Sequence, residues 1–301
     1  MGQAYTGFAE VYDLFMDNVP YEKWCSFLVE KLAQYGYEPN MQLDVTQYDL
    51  EALGVDLTDP DYASNIIQEH NSVLDLGCGT GTLTRLMAAK GFDMIGVDLS
   101  EQMLDIAHEK EFEMDEPSGA IYLCQDMREL ELFGTVGAAV SVCDCINYVL
   151  EKDQVTEVFK KVNNYLFPGG LFIFDFNTVH KYRDVIGNTT IAENREQASF
   201  IWDNFYHEKE GINEYELSIF VKDAYEDDAW DEEDADDDAP VPYVRFTETH
   251  YQKGYTLDEI KECMKAAGLT FLEALDGDTF EAAHAESERI FVVARECGKQ
   301  A

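Results

Sequence analysis

The chain has 301 residues, of which 46% are hydrophobic and 13% aromatic, enough for a substantial core and too many for a disordered chain. Its 61 acidic and 21 basic residues give a formal charge of -40. Such a field repels phosphate backbones and anionic lipid surfaces, so nucleic acid and membrane are excluded as partners, whereas solubility or attraction of a cationic substrate is favoured.

Phe8, Val11, Tyr12 and Phe15, then Trp24, Phe27, Leu28 and Leu32, recur at helical spacing and predict two helices broken near Pro20. Residues 36–70 contain Pro39 and Pro60 and predict a connector with short helices. Ser72–Leu76 predicts a strand that runs into Gly77-Cys78-Gly79-Thr80-Gly81, with a helix from Leu83 to Lys90 behind it. Met94–Leu99 predicts the second strand, and Ser100 caps a helix through Glu109. Ala120–Cys124 and Gly137–Val142 predict the third and fourth strands. A helix over Lys152–Leu166, closed by Pro168-Gly169-Gly170, leads to a fifth strand, Leu171–Phe176. This alternation predicts an α/β fold, a mostly parallel sheet with helices on both faces and right-handed crossovers.

After Asn177 the period changes. Ser199, Ile201, Asp203 and Phe205, then Glu214, Glu216, Ser218 and Phe220, alternate as antiparallel strands do, which predicts an inserted sheet between about Thr190 and Tyr251. Glu226–Asp238 is dense in acids and reads as a mobile, solvated hairpin tip, with capture of a basic partner as the alternative. Thr256 is the expected N-cap of a helix over Leu257–Ala267, ended by Gly268, and Thr270–Ala274 and Arg289–Arg295 close the fold as strands. The expected division is a helical cap and connector (1–70), a ligand-binding core (71–180), an inserted antiparallel lid (181–254) and a segment that completes the core sheet (255–301).

The start of the chain lacks the basic and apolar regions of an export signal, and no apolar run approaches a membrane span, so a cytoplasmic location is expected. Seven scattered cysteines, an odd number, fit free thiols in a reducing compartment. Neither they nor the six histidines are spaced as metal ligands, and no metal is expected. Nothing marks the oligomeric state.

Three segments carry chemistry. In Asp75-Leu76-Gly77-Cys78-Gly79-Thr80-Gly81 the glycines permit positive φ and close approach of a ligand to the backbone. Thr82 stands where a dinucleotide fingerprint would have its third glycine, and Asp75 suits a cationic amino group better than a pyrophosphate. Asp98, in Gly96-Val97-Asp98-Leu99-Ser100, lies about 20 residues past the loop, where a carboxylate accepts from both hydroxyls of an adenosine ribose. In Cys124-Gln125-Asp126-Met127 the acid suits an adenine amino group, and Met103 and Met127 are candidates to sandwich the base or, equally, to fill core.

Together these motifs resemble the class I methyltransferases that use S-adenosylmethionine (SAM), over about Ser72–Thr178 and Thr256–Arg295. Phe8-Ala9-Glu10-Val11-Tyr12-Asp13, Val19-Pro20-Tyr21, Trp24, Cys143-Asp144-Cys145-Ile146-Asn147-Tyr148 and Glu248-Thr249-His250 are similar to a group of small bacterial methyltransferases of largely unassigned substrate. The resemblance implies a Rossmann-like seven-stranded sheet with SAM as the cofactor and a small-molecule acceptor. It implies that Asp75, Gly77, Cys78 and Gly79 line the methionine moiety, Asp98 and Leu99 the ribose, and Met103, Gln125, Asp126 and Met127 the adenine. It places Cys143 under the cofactor, with Asp144 and Asn147 facing the acceptor. Tyr5, Tyr12, Tyr21 or Trp24 would close over the sulfonium, or simply pack their helices. If the acceptor must lose a proton, His250, Tyr148 and Asp144 are the candidate bases. A SAM-binding regulator without transferase activity and a nicotinamide-dependent oxidoreductase are the alternatives.

Overall fold

The computed structural model describes residues 8–50, 55–222 and 241–299, so Tyr5 and the acidic run Glu226–Asp238 lie outside the described residues. Helices α1 (Ala9–Phe15) and α2 (Tyr21–Gln34) flank Pro20, whose missing N–H breaks no helical bond at the N-cap of α2. The connector holds a 3-10 turn at Val45–Gln47 and helix α3 (Tyr62–Asn71). The alternating core follows: β1 (Ser72–Leu76), α4 (Thr82–Ala88), β2 (Asp93–Asp98), α5 (Glu101–Glu113), β3 (Ile121–Cys124), β4 (Val136–Ser141), α6 (Lys152–Tyr165) and β5 (Leu166–Asn177). Ser100 caps α5 by accepting from the Met103 N–H.

One boundary differs from expectation. Pro168-Gly169-Gly170 does not separate α6 from the strand, because β5 already begins at Leu166. Val136 pairs with Leu166 while Ala138 pairs with Leu171, so the proline and glycines are absorbed as a bulge.

The insertion is a separate four-stranded antiparallel sheet of β6 (Thr190–Asn194), β7 (Ala198–His207), β8 (Ile212–Lys222) and β9 (Tyr243–Lys253). Helix α7 (Leu257–Ala266) starts with a capping box between Thr256 and Glu259, and β10 (Leu269–Asp276) and β11 (Arg289–Glu296) finish the chain. The core sheet has seven strands in the order β10-β11-β5-β4-β1-β2-β3, antiparallel at β10 and β11 and parallel elsewhere.

Alternate residues of β1 serve opposite faces. Leu74 and Leu76 join Val158, Phe159, Ile260 and Met264 of α6 and α7, while Val73 joins Leu28, Leu32, Leu83 and Met87 of α2 and α4. Each such side chain contributes about 1.5–3 kcal/mol on burial. Helix α1 packs instead on the inserted sheet, with Val11 and Phe15 against Ala198, Tyr215, Leu217 and Ile219. Strand order reverses between β1 and β4, which opens a crevice beyond the carboxyl ends of the parallel strands, roofed by α1 and the inserted sheet. Among the described residues no helix is long and apolar enough to cross a membrane, and no group of three or more His, Cys, Asp or Glu side chains is arranged to hold a metal.

Candidate active site

The three motifs meet at that crevice. Asp98 Oδ2 accepts from the Gly79 N–H at 2.8 Å and Oδ1 from the Ser100 N–H at 2.9 Å, which ties the end of β2 to the glycine loop and to the start of α5. The Gln125 N–H donates to the Asp98 carbonyl at 2.9 Å and brings in the segment after β3. Gly77 and Gly79 have φ of +84° and +54°, a region that side chains make costly. A Cβ at Gly77 would lie 2.8 Å from Cβ of Cys145, whereas one at Gly79 would meet nothing within 4 Å. Gly77 is therefore required by packing, and Gly79 faces open space in which a ligand can lie.

Asp75 is only 1% exposed and accepts from Thr84 Oγ1 at 2.6 Å. Burial pushes its carboxyl up to about 7, with Thr84 pulling the other way and Asp98 adding to the rise. The folded chain thus holds a proton that the unfolded chain releases near the ordinary carboxylate range, so stability falls as pH rises from there to about 7. An Asp75→Asn variant removes that titration. It is expected to equal the parent near pH 4 and to exceed it in denaturation midpoint at pH 8; equal midpoints at both pH values would show that Asp75 titrates normally.

Other expected contacts are placed less simply. Leu99 is 64% exposed beside Asp98, an apolar surface next to a carboxylate, whereas Met103 is buried core. Met127 reaches to 3.9 Å from a Cβ position at Gly77. Asp126 caps the turn after β3 and is paired with the Arg128 guanidinium, which holds its carboxyl below the usual range. The Gln125 side chain bridges both backbone groups of Glu131. Cys78 turns inward against Leu104, Ala107 and Tyr122, so only its backbone lines the loop. Trp24 is buried on Phe291 with the Arg289 guanidinium 5.2 Å from its ring centroid, so its cation partner is internal. Tyr12 packs edge-on to Phe8 and is hydrogen-bonded to Tyr21. Asp13 of α1 accepts from Thr80 Oγ1 at 2.8 Å and pairs with Lys110, which fastens the cap to the glycine loop.

The candidate acceptor side is built on a strained turn after β4. Cys143 and Asp144 both have positive φ, +66° and +54°, and their successive N–H groups converge on the Asp175 carboxylate at 3.1 and 2.8 Å. Arg289 pairs with Asp175 and donates to Asp144 at 2.7 Å, while Gln252 of β9 donates to the other Asp144 oxygen at 2.6 Å. Both Asp144 oxygens are therefore engaged, which differs from the expected acceptor-facing carboxylate. Burial pushes the Cys143 thiol up to about 12 and keeps it neutral. Cys145 Sγ lies 3.3 Å from the Gly77 carbonyl and joins this turn to the donor loop. Asn147 is not free to face an acceptor, because its amide donates to the carbonyls of Asn177 and Lys253 at 2.9 and 2.6 Å.

Tyr148 and His250, about 100 residues apart in sequence, are brought together with the Tyr148 hydroxyl 3.2 Å from Nδ1 of His250. The same hydroxyl is 2.8 Å from that of Tyr215, whose ring stacks on the imidazole at 4.7 Å. Sequence reasoning assigned no role to Asp175, Arg289, Gln252 or Tyr215. For two of them a signal existed: Asp175 is a lone acid within the apolar run Leu171–Phe176, and a buried acid needs a partner such as Arg289 at the mouth of β11.

Residues 73–170 match a family described as a methyltransferase domain. Protein YqeM of Bacillus subtilis (strain 168), which is named as a methyltransferase, is 31% identical over 292 residues, covering 97% of this chain and 96% of that protein. A protein of Geobacillus sp. (strain WCH70), also named as a methyltransferase, is 32% identical over 291 residues, covering 97% of this chain and 99% of its own. Among solved structures, a S-adenosylmethionine-dependent methyltransferase from Clostridium acetobutylicum ATCC 824 superposes with a TM-score of 0.73 at 26% identity, over 98% of this chain and 100% of that one. These similarities do not favour the oxidoreductase or the non-catalytic alternative.

Proposed function

The chain belongs to the SAM-dependent methyltransferases, and from that premise we propose that it methylates a small molecule in the cytoplasm of a bacterial cell. What supports the acceptor class is the cover over the glycine loop, where α1 is bonded to Thr80 and packed on the inserted sheet, together with the net charge of -40. A nucleic acid does not suit that charge. The division into cap, donor-binding core, inserted lid and closing segment is part of the same proposal.

The residues present fit SAM. The open side of Gly79, the second lone pairs of both Asp98 oxygens, the exposed face of Leu99 and the buried acid of Asp75 supply the contacts its parts need. Asp75, Gly77, Cys78 and Gly79 would hold the methionine part, Asp98 and Leu99 the ribose, and Asp126, Met127 and the Gln125 backbone the adenine. Tyr12 and Cys143 would add to that lining, whereas Trp24 is occupied by Phe291 and Arg289. When bound, SAM supplies an activated methyl group on a sulfonium. The chain's own work is then alignment, exclusion of water by α1 and the inserted sheet, and removal of the acceptor's proton. For that last task the Tyr148–His250 pair would move a proton from the Tyr148 oxygen to His250 Nδ1, a reading their contact supports, whereas Asp144 holds the turn on which Tyr148 stands.

Incubating the protein with methyl-labelled SAM and a bacterial metabolite extract is expected to label a compound of low mass. Label confined to RNA or protein fractions, or none above a boiled control, would overturn the acceptor class. In the same assay His250→Asn is expected to slow labelling by about 10²-fold at saturating extract. An unchanged rate would remove His250 from the mechanism.

A further inference from the structure

Glu248 and His250 are two residues apart on β9, so both side chains project from one face of the inserted sheet. That face is buried: Glu248 is 6% exposed and His250 2%. Glu248 is paired across the sheet with Leu217, an unfavourable neighbour for a carboxylate. Its two oxygens have distinct partners. Oε1 accepts from the backbone N–H of Phe8 at 3.1 Å, just ahead of α1, and Oε2 lies 3.2 Å from Nε2 of His250.

We propose that Glu248 is a positioning residue for methyl transfer, one that fixes His250 in the tautomer whose Nδ1 lone pair accepts the Tyr148 proton. This rests on the reading of Tyr148 and His250 as the proton-accepting pair. A carboxylate only accepts hydrogen bonds, so the contact with Oε2 requires the proton on Nε2. Nδ1 is then bare and Tyr148 must donate to it. With its own hydrogen so committed, the Tyr148 oxygen accepts from the Tyr215 hydroxyl at 2.8 Å. Tyr148 and Tyr215 cannot set this direction, because a hydroxyl serves as donor or acceptor equally well. The Tyr215 ring, stacked on the imidazole within 4° of parallel, and Trp202, stacked on Tyr215 at 4.3 Å, hold the plane of the ring without selecting a tautomer, which the Glu248 carboxylate does.

The relay defines the acceptor as one that carries a proton on its attacking oxygen or nitrogen. As that atom bonds to the methyl carbon, the carbon–sulfur bond breaks and its electron pair stays on sulfur. The acceptor's proton passes to the Tyr148 oxygen, the Tyr148 proton passes to Nδ1, and the resulting imidazolium is held beside the Glu248 carboxylate. An acceptor that is already an anion would need none of this and would be repelled by Glu248 as well.

The test uses the full chain with nitrogen-15 histidine, the His250 signals being assigned by their loss in His250→Asn. Long-range proton–nitrogen correlation spectra of the parent are expected to show His250 protonated at Nε2 and bare at Nδ1. In Glu248→Gln, whose amide can donate as well as accept, that signature is expected to shift or to mix with the other tautomer. Labelling of the metabolite extract should then fall by on the order of 10²-fold while SAM affinity, read by calorimetry, stays within about twofold. Protonation of the parent at Nδ1 would overturn the proposal, as would an unchanged His250 spectrum in a folded Glu248→Gln protein. Should that variant not fold, the parent spectrum decides alone, with Tyr148→Phe expected to move the Nδ1 resonance and leave Nε2 protonated. Loss of SAM binding by the parent would sink the donor assignment instead and leave the tautomer measurement standing.

Discussion

Replacing Asp98 with alanine is expected to weaken SAM binding by on the order of 10³-fold while the chain stays folded. Two hydrogen bonds to a charged acceptor are lost at about 1.5–3 kcal/mol each, which is about 10²–10⁴ in affinity. The loss is compounded because the same carboxylate orders the Gly79 and Ser100 N–H groups, so the loop that faces the ligand loosens with it. Burial raises the Asp98 carboxyl, so its charge is tolerated only where such donors surround it. Asparagine should fare little better than alanine. Its NH2 group must take the place of one oxygen and would then face the Gly79 or the Ser100 N–H, donor against donor. Isothermal titration calorimetry measures the change, with thermal unfolding as the control for fold. A folded Asp98→Ala protein that binds SAM within about threefold of the parent would falsify the ribose assignment.

The convergence of the proposed donor residues was legible because they are local. Asp75, Gly77, Gly79 and Asp98 sit at strand ends that periodicity marks, and a strand end of this sheet has one place to go. The proposed acceptor half was only partly legible, because register between distant strands builds it. Gln252 reaches Asp144 across 108 residues and Arg289 reaches it across 145, contacts that no local pattern encodes. Tyr215 meets His250 only because β8 and β9 pair with those two residues opposite each other. Local spacing also fails to say which side of an element a residue serves. Cys78 lies in the glycine loop and yet turns into the cluster around Tyr122, since Gly96 on β2 leaves room for its sulfur. Met103 and Leu99 show the same ambiguity: the expected base contact is core, and the neighbouring leucine is the exposed one.

Arg289→Met is expected to destabilise the chain by about 3–5 kcal/mol, the range for removing one partner of a buried ion pair. The guanidinium serves two carboxylates at once, Asp175 and Asp144, and lies over the Trp24 ring. Burial works against its charge, but Asp175 and then Asp144 outweigh that and hold it firmly protonated. Without it two acids face each other below the strained Cys143–Asp144 turn, whose N–H groups depend on Asp175. Lysine should rescue only in part, because a single ammonium cannot make the forked contact. Adding Asp175→Asn to Arg289→Met should recover only a small part of the loss, since one buried charge is gone but the amide NH2 then faces one of the two turn N–H groups. The pH dependence separates this account from simple loss of packing. Burial already raises the Asp175 carboxyl in the parent, and without the guanidinium its folded-state pKa rises further above the unfolded value. The variant therefore holds extra protons when folded, and its deficit should shrink as pH falls towards the unfolded carboxylate range and grow as pH rises. Denaturant titrations at pH 5 and pH 8 that give the same deficit would show that methionine costs only contacts, not an unpaired charge.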